Sequence, residues 1–117
     1  MALASTTAEN QALDGLSGGT TNVLAYVQLH SASPSTTGAN ELASTTRQAC
    51  SWNVASGGSK TNSSSLSFTT PGTTAATYFG TFSASTAGTY GIGGALTASV
   101  TAVTITVAAG ALTLSAS

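Results

Sequence analysis

From Thr21 onward the chain alternates. Val23, Ala25, Val27 and Leu29 fall on one side of an extended segment, and Leu24, Tyr26, Gln28 and His30 on the other. A period of two is the signature of a half-buried β-strand. It recurs with Cys50, Trp52 and Val54 inside a segment from Arg47 to Val54, and with Leu66 and Phe68. Between Thr77 and Ser83, Tyr78 and Phe82 oppose Phe79, while Val103, Ile105 and Val107 alternate with threonines and Leu112 and Leu114 close the series. Two shorter segments, 89–92 and Leu96 to Val100, flank Gly93-Gly94, which reads as a bulge or turn. Gly57-Gly58 with Lys60, Pro71-Gly72, Gly88 and Gly110 punctuate the strands. Several short strands separated by turn signals predict a mainly β fold, an antiparallel sandwich or small barrel. The sandwich is the expected form.

The beginning has a different period. Thr6-Thr7-Ala8-Glu9 fits a capping box, in which a hydroxyl and a carboxylate satisfy the first free N–H groups of a helix. Ala8, Ala12, Leu13 and Leu16 share one helical face, and Gly15 supplies a stop. The expectation is one domain over 1–117, with a short helix and arm at 6–16 and the β-sandwich over 21–117. Residues 31–46 form a long connection containing Pro34, Gly38 and Asn40. Loops of that length are uncommon without a role, so this one is a candidate contact loop.

Composition narrows what such a fold can do. Only 4% of the residues are charged, and no Asp, Glu, Lys or Arg follows Lys60, where an ordinary domain carries about 25%. Hydration therefore falls to Ser, Thr, Asn and Gln. With a net charge of −1 there is no basic footprint for nucleic acid. Residues 91–114 are interrupted by glycines and threonines, unlike a membrane-spanning helix. The large apolar side chains make a lean core, and contacts between subunits are expected to add to the burial.

Acid–base or metal chemistry has little to draw on. Glu9 and Asp14 lie on the expected helix, leaving Glu41 without a second carboxylate for glycosidase-type work. His30 lacks a second histidine or a cluster of Cys and carboxylates to share a metal. Cys50, two residues from Trp52 on the same expected face, reads as a buried thiol rather than a nucleophile. The chain is accordingly expected not to be an enzyme, and no cofactor is implied. Glu41 and Arg47 bracket the loop and are expected either to pair with each other or to touch a neighbouring subunit. Tyr26 and Tyr90 are the aromatic candidates for subunit or surface contact, alongside Tyr78.

The run Tyr26-Val27-Gln28-Leu29-His30-Ser31-Ala32-Ser33-Pro34, followed by Thr37-Gly38-Ala39-Asn40-Glu41, resembles small virion proteins of tailed bacteriophages. The likeness continues through Thr46-Arg47-Gln48-Ala49, Trp52, Ala55-Ser56-Gly57-Gly58 and Tyr78-Phe79-Gly80, to Ala109-Gly110-Ala111-Leu112-Thr113-Leu114. Such proteins are minor tail or tail-fibre-like components, and similar small β proteins decorate heads. The resemblance implies a virion structural protein with no catalytic residues to carry over. The chain has no heptad or collagen-like repeat of the kind a long fibre shaft needs. The expectation is therefore a head decoration protein, a homotrimer bound to the major capsid protein on the outer surface of the head. The alternative is a minor tail or fibre-tip protein that contacts tail proteins or the host surface.

Overall fold

The computed structural model describes residues 6–18 and 21–115. Residues 1–5, 19–20 and 116–117 of the expected domain lie outside the described residues. One helix, α1 (Thr6–Gly18), precedes eight strands: β1 (Tyr26–His30), β2 (Gln48–Ala49), β3 (Ser59–Thr61), β4 (Leu66–Thr69), β5 (Ala76–Phe82), β6 (Tyr90–Val100), β7 (Thr104–Val107) and β8 (Thr113–Ser115). A four-stranded sheet has the order β2-β1-β5-β6, and the pairs β3-β8 and β4-β7 complete the architecture, all antiparallel. The fold is mainly β and does not close into a barrel.

Alternation explains which face of the large sheet is the core. In the β1–β5 register Val27 lies opposite Thr81 and Leu29 opposite Phe79. Neighbours across a ladder share a face, and these four are buried. They join Leu66 and Phe68 of β4, Ile105 and Val107 of β7, and Leu112 and Leu114 in and beside β8. The other face carries Tyr26, Gln28 and His30 against Phe82, Gly80 and Tyr78. Thr81 also bridges an irregularity: its hydroxyl donates to the Ile92 carbonyl (3.0 Å) and accepts from the Ile92 N–H (2.9 Å), where the β5–β6 register shifts.

Helix α1 docks through one buried leucine and a polar seam. Leu13 is buried. Asp14 Oδ1 accepts from Lys60 Nζ at 2.6 Å and from the Ala55 N–H at 2.9 Å, while Asn10 Oδ1 accepts from the Gly58 N–H. The Lys60 side chain is only 5% exposed, so it lies inside β3 rather than marking a turn. The pairing holds the Asp14 carboxyl below its ordinary range, chiefly through the Lys60 hydrogen bond.

Several local expectations are corrected. The segment expected as a strand from Arg47 to Val54 pairs as β2 only at two residues, and Val54 is 80% exposed. Asn22 accepts from the Leu24 N–H and the Trp52 indole donates to the Leu24 carbonyl, so Leu24 is buried in a turn before β1 begins. Gly93-Gly94 does not break the chain; it lies within β6, and the larger irregularity falls between Ala95 and Val100. Gly15 does not stop α1, which runs on to Gly18.

A side chain at Gly15 would meet nothing within 4 Å. Glycine inside a helix costs about 0.5–1 kcal/mol relative to alanine. Gly15→Ala is therefore expected to stabilise the fold by about that amount, seen as a higher urea midpoint with an unchanged slope; an unchanged or lower midpoint would contradict the helical assignment.

Candidate functional site

The long connection after β1 folds back over the outer face of the large sheet. The Ser31 N–H donates to the Asn40 carbonyl and the Leu42 N–H to the Leu29 carbonyl, so residues 40–42 run beside the end of β1. His30 and Glu41 form an isolated antiparallel bridge there. Pro34, Gly38, Leu42 and Arg47 are buried, and Leu42 reaches into the main hydrophobic core. Gly38 is required on two counts: its φ is +77°, and a Cβ there would lie 2.9 Å from the Phe82 ring.

Arg47 is the centre of this cover. Its Nη1 donates to the carbonyls of Ala84 (2.9 Å) and Ala87 (2.7 Å), and its Nη2 and Nε donate to Glu41 Oε1 (2.8 Å) and Oε2 (3.3 Å). The guanidinium carbon stands 3.6 Å from the centroid of Phe82, an arrangement in which ring and cation attract. One side chain thus ties the 31–47 loop to the 83–89 turn. Gln28, on the same face, donates to the Thr45 carbonyl at 2.7 Å and to Glu41 at 3.4 Å. Burial raises the Glu41 pKa, but the Arg47 hydrogen bond and charge outweigh it, and the net shift is downward.

His30 is fully buried. Its Nδ1 lies 2.7 Å from the Ala39 carbonyl, which can only accept, so the neutral ring carries its proton there. Nε2 is left without a partner among the described residues. The ring stacks on Phe82 at 6.0 Å, and Phe82 meets Tyr90 at 5.4 Å. Gly80 makes room for this: a Cβ there would lie 2.7 Å from His30 Nε2. Desolvation pushes the His30 pKa down and outweighs the Ala39 hydrogen bond.

All four residues singled out from the sequence therefore lie on or over one face. Glu41 and Arg47 pair directly, Tyr90 packs on Phe82, and Tyr26 stands opposite Phe82 in the β1–β5 register. An open cleft of about 320 Å³ borders the ion pair, lined by Gln28, Glu41, Arg47 and hydroxyl side chains that include Thr46, Ser85 and Thr86. Ser85 and Thr86 had no signal in the sequence: they are ordinary turn residues until Arg47 fastens their carbonyl neighbours. Cys50 is half-buried, and desolvation pushes its thiol up to about 11, which leaves it protonated at neutral pH. Among the described residues, no three of His, Cys, Asp and Glu lie together as a metal site, and no helix is long and apolar enough to cross a membrane.

A family described as Podophage GP4 fiber I protein gp80 matches residues 3–115. The chain belongs to this family of phage tail-fibre-like structural proteins. It is thus a virion structural protein, and the match favours the tail fibre over decoration of the head. No curated protein matches the chain.

Acid should loosen the loop cover in two steps. A buried neutral histidine contributes stability that is complete above its unfolded pKa of about 6.5 and declines as pH falls below that value, because the unfolded chain then binds the extra proton. Glu41 adds a second loss below its unfolded value of 4.5. His30→Gln is expected to flatten the decline of the urea midpoint between about pH 6.5 and 5 while leaving the steeper fall below it. A wild-type midpoint that stayed level across that upper window would contradict the buried neutral ring.

Proposed function

We propose that this chain is a component of a podophage tail fibre, and that it meets tail proteins or the host surface through neutral contacts. The family match over residues 3–115 is the observation that carries the reading. The disposition of charge supports it. Both cationic side chains, Arg47 and Lys60, are buried and paired, with Glu41 and Asp14. Neither is free to bind phosphate, so recognition rests on hydroxyls, amides and apolar area. Glu41, Tyr26 and Tyr90 are the proposed contact residues; Arg47 serves by holding the surface on which Glu41 stands.

The proposed assembly is a homotrimer. Strand β6 is an edge strand of eleven residues without lysine or proline, and such edges favour pairing with another chain. Beside it lies an apolar groove of about 270 Å³ whose lining includes Leu96, Val100, Ile105 and Val107. Val100 and the nearby Val103 are exposed. The absence of charge after Lys60 lets identical surfaces approach without repulsion. Decoration of the head, with the major capsid protein as partner, draws its support from the compact low-charge design alone.

Virions carrying this protein with an affinity tag are expected to bind gold-labelled antibody at the tail in electron micrographs. The purified chain should have the mass of three copies by native mass spectrometry. Gold spread over the head, with copies commensurate with the major capsid protein, would reverse the choice between head and tail; a single-copy mass would remove the trimer.

A further inference from the structure

We propose that the cleft beside the Glu41–Arg47 pair is a binding site for a neutral saccharide unit. The argument begins with what the cleft offers. Glu41 Oε1 receives one hydrogen bond, from Arg47 Nη2 at 2.8 Å, and the Glu41 side chain is 37% exposed. A carboxylate oxygen has two acceptor positions, so one remains. Arg47 has five N–H groups, and its four hydrogen bonds engage Nε, both protons of Nη1 and one of Nη2. The second Nη2 proton makes no hydrogen bond, on a side chain that borders the cleft and is 7% exposed. A free acceptor thus lies one hydrogen-bond length from a group with a free donor, both held by contacts already made. Neighbouring hydroxyls on a pyranose ring, each able to donate and accept, match that pair.

The rest of the lining points the same way. Thr46, Ser85 and Thr86 are exposed and border the cleft, and their hydroxyls make no hydrogen bond among the described residues. They can turn to meet either a donor or an acceptor. The volume of about 320 Å³ is at the lower end of small-molecule sites, enough for a sugar ring and part of its neighbour.

Other ligand classes fit less well. An anion would need positive charge, yet Arg47 is neutralised by Glu41 and Lys60 is buried against Asp14. A divalent cation would find one carboxylate already committed to arginine, and an apolar ligand would strand the hydroxyls without partners. Among the described residues no aromatic ring lines the cleft, and Arg47 covers Phe82. Affinity at one site should therefore be low, and repeated copies on a fibre would raise it through multivalency.

This inference rests on the fibre reading for its biological setting, while its test is separate. Amide resonances of the 15N-labelled protein would be followed by NMR during titration with D-glucose, D-galactose, L-rhamnose and N-acetyl-D-glucosamine, and with D-glucose 6-phosphate for comparison. At least one neutral sugar should shift resonances of residues 45–47 and 85–87 in the millimolar range, the phosphate ester binding no tighter than glucose. Glu41→Gln should raise Kd about tenfold. Because that change also disturbs a buried arginine, Ser85→Ala combined with Thr86→Val serves as the second variant; it alters only exposed hydroxyls and should raise Kd several-fold with the fold intact. No shift with any of the four sugars at about 50 mM, shifts confined to other residues, tighter binding of the phosphate, or equal affinity in the double variant would each overturn the site. Gold on the tail without sugar-induced shifts would remove the site and leave the fibre assignment standing. Gold on the head with those shifts would do the reverse.

Discussion

A buried guanidinium governs the outer half of this molecule. Arg47 reaches from the end of one loop to the carbonyls of another, and its flat face lies on Phe82 while Glu41 closes the remaining side. Taking a charge out of water costs several kcal/mol unless its hydrogen bonds and counter-charge are restored. Here they are, but only if residues 41, 84 and 87 stand in their observed places. Ala87 even adopts a positive φ of 53°, a conformation that costs a non-glycine residue about 1–2 kcal/mol, to present its carbonyl. The penalty for leaving Arg47 unpaired thus specifies two loops at once.

That arrangement has a consequence for recognition. A protein with two cationic side chains that buries both has removed the usual means of attracting phosphate, nucleic acid or acidic peptides. What remains outside is dominated by hydroxyls and small apolar groups, with the partly exposed carboxylates of Glu9, Asp14 and Glu41. Contacts of that kind are short-ranged and little affected by salt, so they discriminate by shape and hydrogen-bond pattern more than by long-range steering. In a fibre exposed to varied ionic conditions, such a surface behaves the same from one medium to the next.

The legible parts of the sequence were those where one physical requirement dominated. Alternation through Tyr26–His30 named the two faces of β1 correctly because one of them must be apolar. The same rule identified β4, β5, Ile105 and Val107 of β7 and Leu114 of β8, but it also counted Val103, which precedes β7 and is 60% exposed. It failed at Val54, since a two-residue pairing at β2 imposes no face on the residues beyond Ala49. It also missed Leu24, which is buried by a turn and an indole hydrogen bond rather than by strand pairing. Lys60 was hidden for a different reason. A lysine beside two glycines looks like a surface turn, and only its tertiary partner Asp14, 46 residues away in sequence, reveals a buried ion pair. In the site, Glu41 and Arg47 were conspicuous as rare charges bracketing a loop. Ser85 and Thr86 were not, because among so many serines and threonines nothing local separates a lining hydroxyl from any other.

Low charge and a lean core place opposing demands on a small β protein: it must stay hydrated, yet leave room for partners. The fold meets them by dividing its surface. The polar cleft draws on β1, the loop after it and the 83–89 turn, whereas the apolar groove draws on β6, β7 and the segment leading to β8; the two share no residue. Packing of copies along the groove would therefore leave the cleft open, since neither Glu41 nor Arg47 contributes to the groove. Each copy can add burial that the lean core lacks while presenting the same hydroxyl-rich cleft outward. A charged edge on β6 would protect against pairing, as it does in many soluble sheets. Its absence leaves the β6 backbone open to pairing with another strand.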